Sequence, residues 1–244
     1  MRTVAVTSVK GAPGVTTTAL LVASRIEGAV VLEADLDGSS LAVRYGLGRE
    51  PGLTTLAAAT SREPEAWREH AQDAGGVAVL VGPDAAGTAG SLWKMAGDTI
   101  AARLARADGV RVVDAGRFRG PSPMLQVADL VLVAVNPVAD QLVALSHRLS
   151  ELRSTTSGHV AVLLVGAGPY TAHNVEADLD VDVIAHLPHD PAAAETLRVG
   201  GAGGRLGRSR LARASTDLAT LIQQRLADDP AAPSAAVAGK RVAS

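Results

Sequence analysis

Seven short runs rich in valine, leucine and isoleucine alternate along this chain with longer stretches of helical periodicity. That alternation restricts the fold to parallel βαβ units. The runs span residues 2–8, 29–34, 77–81, 110–114, 130–135, 160–165 and 183–187, and helical patterns cover about 16–26, 86–107, 139–152 and 209–227. Near-continuous apolar strands imply a sheet covered by helices on both faces. The expectation is a three-layer α/β fold around a mainly parallel sheet of about seven strands. No internal repeat is visible. From Asp228 the chain turns to Ala and Pro without an apolar stripe, so residues 1–227 read as one domain and 228–244 as a disordered tail.

Length and composition agree with that reading. A chain of 244 residues, 47% of them hydrophobic, suits one large domain built on Ala, Val and Leu, because the aromatics number only two Trp, two Tyr and one Phe. A formal net charge of −2 argues against an overall electrostatic hold on nucleic acid, while leaving room for a local basic patch. The absence of cysteine excludes disulfides and thiolate zinc sites and fits a reducing compartment. Lys10 and the glycines interrupt the first apolar stretch, so no signal peptide is expected. No apolar run approaches the roughly 20 residues of a spanning helix, and the expected location is the cytoplasm.

The most chemical segment is Thr7-Ser8-Val9-Lys10-Gly11-Ala12-Pro13-Gly14-Val15-Thr16-Thr17-Thr18. A glycine-rich turn between a strand and a helix points backbone N–H groups and the positive helix end at an anion, so it suits phosphate. The usual phosphate loop places Lys before Ser/Thr, with Lys on the outer phosphates and the hydroxyl on Mg²⁺. Here that lysine position is Val15, while Thr16 keeps the hydroxyl and Lys10 stands at the front of the loop. Two carboxylates fall on the same sheet edge. Asp35 ends the second run, where it would orient a water or a hydrated Mg²⁺, and Asp114 ends the fourth, where it would hold Mg²⁺ through water. An aspartate at a strand end more often caps a helix. The combination of three such groups in this order carries the inference.

With those residues in view, the sequence resembles the ParA/MinD family of P-loop ATPases, whose deviant Walker A motif is Lys-Gly-Gly-x-Gly-Lys-Thr-Thr. The motif stands here as Lys10-Gly11-Ala12-Pro13-Gly14-Val15-Thr16-Thr17. The resemblance implies ATP or ADP with Mg²⁺ as ligands and a face-to-face homodimer. Lys10 would reach the partner's phosphates, Thr16 would hold Mg²⁺, Asp35 would activate water, and Asp114 would be the Walker B aspartate, followed by the switch-like Ala115-Gly116-Arg117. Glu33 occupies a position where the family often has another Asp. The resemblance runs on through residues 128–133 and 184–190, where Pro188 falls in the loop near the nucleotide base. It covers the chain to about Leu226. It also implies a protein partner and a role in partitioning or positioning a cellular structure.

The departures concern activity. Val15 removes a charge-assisted phosphate contact of roughly 1.5–3 kcal/mol, which weakens binding about ten- to a hundred-fold and slows hydrolysis further. Ala12 adds a methyl to a crowded loop, and Pro13 deletes an N–H donor. Two outcomes stand side by side: a weak or partner-stimulated ATPase switch, and a catalytically inactive scaffold on the same fold. A third reading takes Asp35-Leu36-Asp37-Gly38-Ser39 as the haloacid dehalogenase motif, with Asp35 attacking phosphate and Asp37 as acid/base. That motif normally lies on the first strand with a later lysine and acidic pair. Here it lies on the second strand, and Asp228-Asp229 lies in the tail.

Other features read as structural. Arg198, Arg205, Arg208, Arg210 and Arg213 form a basic cluster that suits a solvated face, with non-specific DNA contact as the alternative. His186 and His189 lack a third metal ligand. Leu211, Leu218, Leu221 and Ile222 sit at helical spacing and read as core. Asp178, Asp180 and Asp182 lack the glycine and distal glutamate of a calcium loop.

Overall fold

A computed structural model describes residues 1–11, 14–198 and 208–228. Among them eight strands form one sheet: β1 (Arg2–Ser8), β2 (Val30–Glu33), β3 (Gln72–Asp73), β4 (Ala78–Leu80), β5 (Val110–Arg117), β6 (Leu130–Val135), β7 (His159–Val165) and β8 (Val183–Leu187). Their order is β3-β4-β2-β5-β1-β6-β7-β8. Every pairing is parallel except β3 with β4. The seven expected strands are all present. The eighth, β3, is two residues long, too short to leave a periodic signal.

The helices are α1 (Val15–Ala23), α2 (Leu41–Tyr45), α3 (Leu53–Ala58), α4 (Ala86–Ala105), α5 (Pro123–Gln126), α6 (Ala139–Thr155), α7 (Ala172–Leu179), α8 (Pro191–Arg198) and α9 (Arg210–Asp228). The four expected helices are α1, α4, α6 and α9. The shorter ones carry too few turns to show an apolar stripe. Helix α9 runs through Asp228, so the expected boundary at 227 falls one residue short of the helix end. The expected tail beyond it lies outside the described residues, as do Ala12, Pro13 and Arg205.

Strand alternation feeds two cores. On β6, Val131, Val133 and Val135 face one side with Trp93, Ile100 and Leu104 of α4 and Leu145, Leu149 and Leu152 of α6. Leu130, Leu132 and Ala134 face the other side with Leu20 and Leu21 of α1 and Leu211, Leu218 and Ile222 of α9. Burial on both faces explains why these strands read as continuous apolar runs. Leu221 departs from the expected stripe: it is 41% exposed, because its neighbour Ile222 takes the inward position on α9.

Topology then opens a crevice at one edge of the sheet. The chain leaves β1 for β2 on one side, returns to place β5 between them, and crosses to β6 on the other side. Connections that depart in opposite directions open a crevice at the carboxyl ends of the central strands. The loop after β1, the end of β2 and the end of β5 all meet there.

Candidate functional site

A cleft of about 680 Å³ occupies that crevice. Its floor is the β1–α1 loop with the first turn of α1: Ser8, Gly11, Gly14, Val15, Thr16 and Thr17. One wall is the loop after β2, with Asp35, Asp37, Ser40 and Arg44. Gly116 and Arg117 close β5, and His189, Pro191 and Ala194 complete the opposite rim.

The loop conformation depends on glycine at two points. Gly11 and Gly14 have φ of +69° and +75°, in the left-handed region. Gly14 is the N-cap of α1, so the helix begins at the cleft floor with Val15. Its first turn carries no acidic side chain of its own, so the N–H groups there face the cleft without a carboxylate from the helix itself. Beneath Gly11, a β-carbon would lie 3.3 Å from Gln141 Nε2, so α6 supports the loop from below.

Asp114 is fixed by register: it pairs with Val6 of β1 and Glu33 of β2, inside the three central strands. It is 3% exposed. Burial pushes its carboxyl up to about 6, opposed by a hydrogen bond from the Thr16 hydroxyl and one from the Gly116 N–H, while the charge of Asp35 adds to the rise. The hydroxyl and the carboxyl expected to share Mg²⁺ are thus neighbours, with Thr16 lining the cleft and Asp114 joined to its lining through Gly116. Asp35 stands half-buried above them. Burial raises its carboxyl, and a hydrogen bond from the Asp37 N–H, 2.8 Å long, works against that rise.

Glu33 differs from the other acids. Its side chain is buried, with Oε1 accepting from the N–H groups of Ser40 and Leu41 at 2.9 and 2.8 Å and Oε2 from that of Gly82 at 3.3 Å. Burial raises its carboxyl, and those N–H groups oppose the shift. Glu33 thus ties the loop carrying Asp35 to the start of α2 and the end of β4. It positions the cleft wall and does not line it.

Other expected site residues are placed differently. The Lys10 ammonium lies 3.0 Å from Asp140 Oδ2 at the start of α6, with both side chains exposed, and it does not line the cleft. Val15, at the missing-lysine position, is 6% exposed and packs into the core beneath α1. The segment with Pro188 reaches the cleft through His189 and Pro191. Asp37 is paired with Arg119 at 2.7 Å. Among the described residues no group of three or more His, Cys, Asp or Glu side chains is arranged to hold a metal ion. Arg208, Arg210 and Arg213 are exposed. Sequence reasoning missed Arg44 and Ser40: a single arginine in a five-residue helix has no pattern to mark it.

Fold and cleft together define a P-loop architecture of the ParA/MinD type. Three solved structures show the likeness: a ParA family ATPase from Chlorobium tepidum TLS (TM-score 0.75, 15% identity, 90% of this chain and 98% of that one), the septum site-determining protein MinD complexed with Mg-ADP from Pyrococcus horikoshii OT3 (0.70, 17%, 93% and 97%), and a MinC:MinD cell division protein complex from Aquifex aeolicus (0.70, 14%, 92% and 96%). No protein-family model matches the sequence, and no curated protein matches it either. At these identities the likeness is one of fold. Among the described residues no helix is long and apolar enough to cross a membrane.

Proposed function

We propose that this protein is a nucleotide-binding switch: Mg-ATP occupies the cleft, promotes a face-to-face homodimer, and the dimer recruits a protein partner to position or assemble a cellular structure. The observation that carries the reading is the convergence of the Gly14-capped α1, Thr16 and Asp35 on one cleft, with the buried Asp114 bonded to Gly116 of its lining. A P-loop fold shared with a MinD structure that holds Mg-ADP supports it.

The donor set fits a magnesium nucleotide. One hydroxyl and one carboxylate are too few to hold a cation without help, and that is how Mg²⁺ is bound beside phosphates, keeping much of its water. Thr16 and Asp114 would hold it, and its contribution there is to neutralise phosphate charge. The N–H groups at the start of α1 bind phosphate oxygens, with Gly11 and Gly14 letting the backbone approach. Residues 12 and 13 would complete that loop, with Thr17 and Pro188 on the nucleotide's flanks. Asp35 orients the attacking water, and Lys10 leaves Asp140 to contact phosphate across the dimer. The exposed Arg208, Arg210 and Arg213, with Arg205, supply a surface for non-specific DNA.

A second reading, a scaffold without turnover, is favoured by one observation: Val15 is committed to the core and offers no charge to the phosphates. Calorimetry with Mg-ATP, coupled to a phosphate-release assay, separates the two. Binding without release supports the scaffold, binding with slow release supports the switch, and no heat removes nucleotide from both.

A further inference from the structure

The cleft lacks its expected lysine, yet cations stand in it and around it. Lys10 is paired with Asp140, Arg119 with Asp37, and Arg117 Nη2 lies 3.4 Å from the Gly11 carbonyl oxygen. Arg44 is different. It lines the cleft from the last turn of α2, is half-buried, and its guanidinium makes no hydrogen bond or ion pair among the described residues. None of its nitrogens is shut off from water without a partner, so the guanidinium stands open to an acceptor that enters the cleft.

Its placement is enforced. Helix α2 starts where Glu33 accepts from the Ser40 and Leu41 N–H groups, the fully buried Leu41 anchors it, and the Arg44 N–H bonds Ser40 O at 3.0 Å. Arg44 therefore shares one cleft with Thr16 and Asp35, where the outer phosphates of a nucleotide would lie.

We infer that Arg44 supplies, in cis and from the opposite wall, the outer-phosphate contact that Val15 cannot make. The inference rests on the nucleotide reading above and adds the residue that replaces the lost charge. A guanidinium binds phosphate oxygens in a bidentate fork, which compensates for its entry from a short helix and not from the loop itself. Val15 is then a relocated contact, with its side chain released to the core.

The test is calorimetric titration of the full chain with Mg-ATP and with AMP, which lacks the outer phosphates, for wild type, Arg44→Ala, Arg44→Gln and Arg44→Lys. The Ala and Gln variants should weaken Mg-ATP about ten- to a hundred-fold while changing AMP affinity less than about threefold, and Lys should retain part of the loss. Two substitutions of different bulk keep the result independent of one variant's folding, which thermal melting checks. Mg-ATP affinity within about twofold of wild type in Ala and Gln overturns the inference, as does equal weakening of AMP. A wild type that binds neither ligand overturns the nucleotide reading itself, and Arg44's role with it.

Discussion

The carboxyl group of Asp35 lies directly over the α-carbon of Gly116: a β-carbon built there would fall 2.0 Å from Asp35 Cγ. Gly116 also has φ of +55° and hydrogen-bonds Asp114 Oδ1 through its N–H at 3.3 Å. One glycine therefore seats both carboxylates of the site, one by absence of a side chain and one by its backbone.

Gly116→Ala should displace Asp35 and strain the end of β5. The expected loss of stability is about 1–3 kcal/mol, read by chemical denaturation, since a left-handed φ and a steric overlap act together. Nucleotide-dependent phosphate release should fall with it. A variant as stable as wild type would mean that the Asp35–Gly116 contact is not present in solution.

Asp114 gives the protein a pH signature. Its carboxyl titrates near 3.8 when unfolded and about 6 when folded. Between those values the folded state binds more protons, so stability falls as pH rises from about 4 to 6 and the loss persists above. Asp114→Asn removes this term and should stabilise the ligand-free protein at pH 7.5 by up to about 3 kcal/mol. The gain should vanish near pH 4. Melting curves at both pH values check it, and a destabilised Asn variant at pH 7.5 would contradict the account.

Glu33→Gln replaces one acceptor oxygen with an amide N–H₂. If the amide faces Gly82, two donors meet, and if it turns round, the Ser40 and Leu41 N–H groups lose their acceptor. Either way stability should drop by about 1–3 kcal/mol. Mg-ATP affinity should fall too, because the wall carrying Asp35 and Arg44 loosens. Unchanged affinity in a destabilised variant would show that Glu33 serves the fold alone.

The fold was legible because its signals are redundant. Each central strand reports burial on both faces, as Leu130–Val135 does, and each long helix repeats its stripe several times. Asp35, Asp114 and Thr16 were legible for the same reason: strand ends and a glycine turn locate a sheet edge before any contact is known. Arg44 was not, since its position depends on Glu33 and Leu41, through contacts that no local pattern encodes. Glu33 stands where the resembled family often has another Asp, and only the N–H groups of Ser40, Leu41 and Gly82 reveal it as a brace. Leu221 shows the limit of periodicity, which places a stripe but not its exposed margin.

Lys10→Ala separates the cleft from the dimer. The Lys10–Asp140 pair is exposed, so its loss should cost under about 1 kcal/mol of stability. Mg-ATP binding by the single chain should persist, while nucleotide-dependent association is lost. Dimerisation unchanged by the substitution would remove Lys10 from the interface.

The central claim is tested most directly by sedimentation velocity of the full chain without nucleotide, with Mg-ADP and with Mg-ATP. A monomer is expected in the first two conditions, and with Mg-ATP a dimer that Lys10→Ala abolishes. One sedimentation coefficient in all three conditions, at nucleotide concentrations that calorimetry also shows to produce no heat, would contradict it.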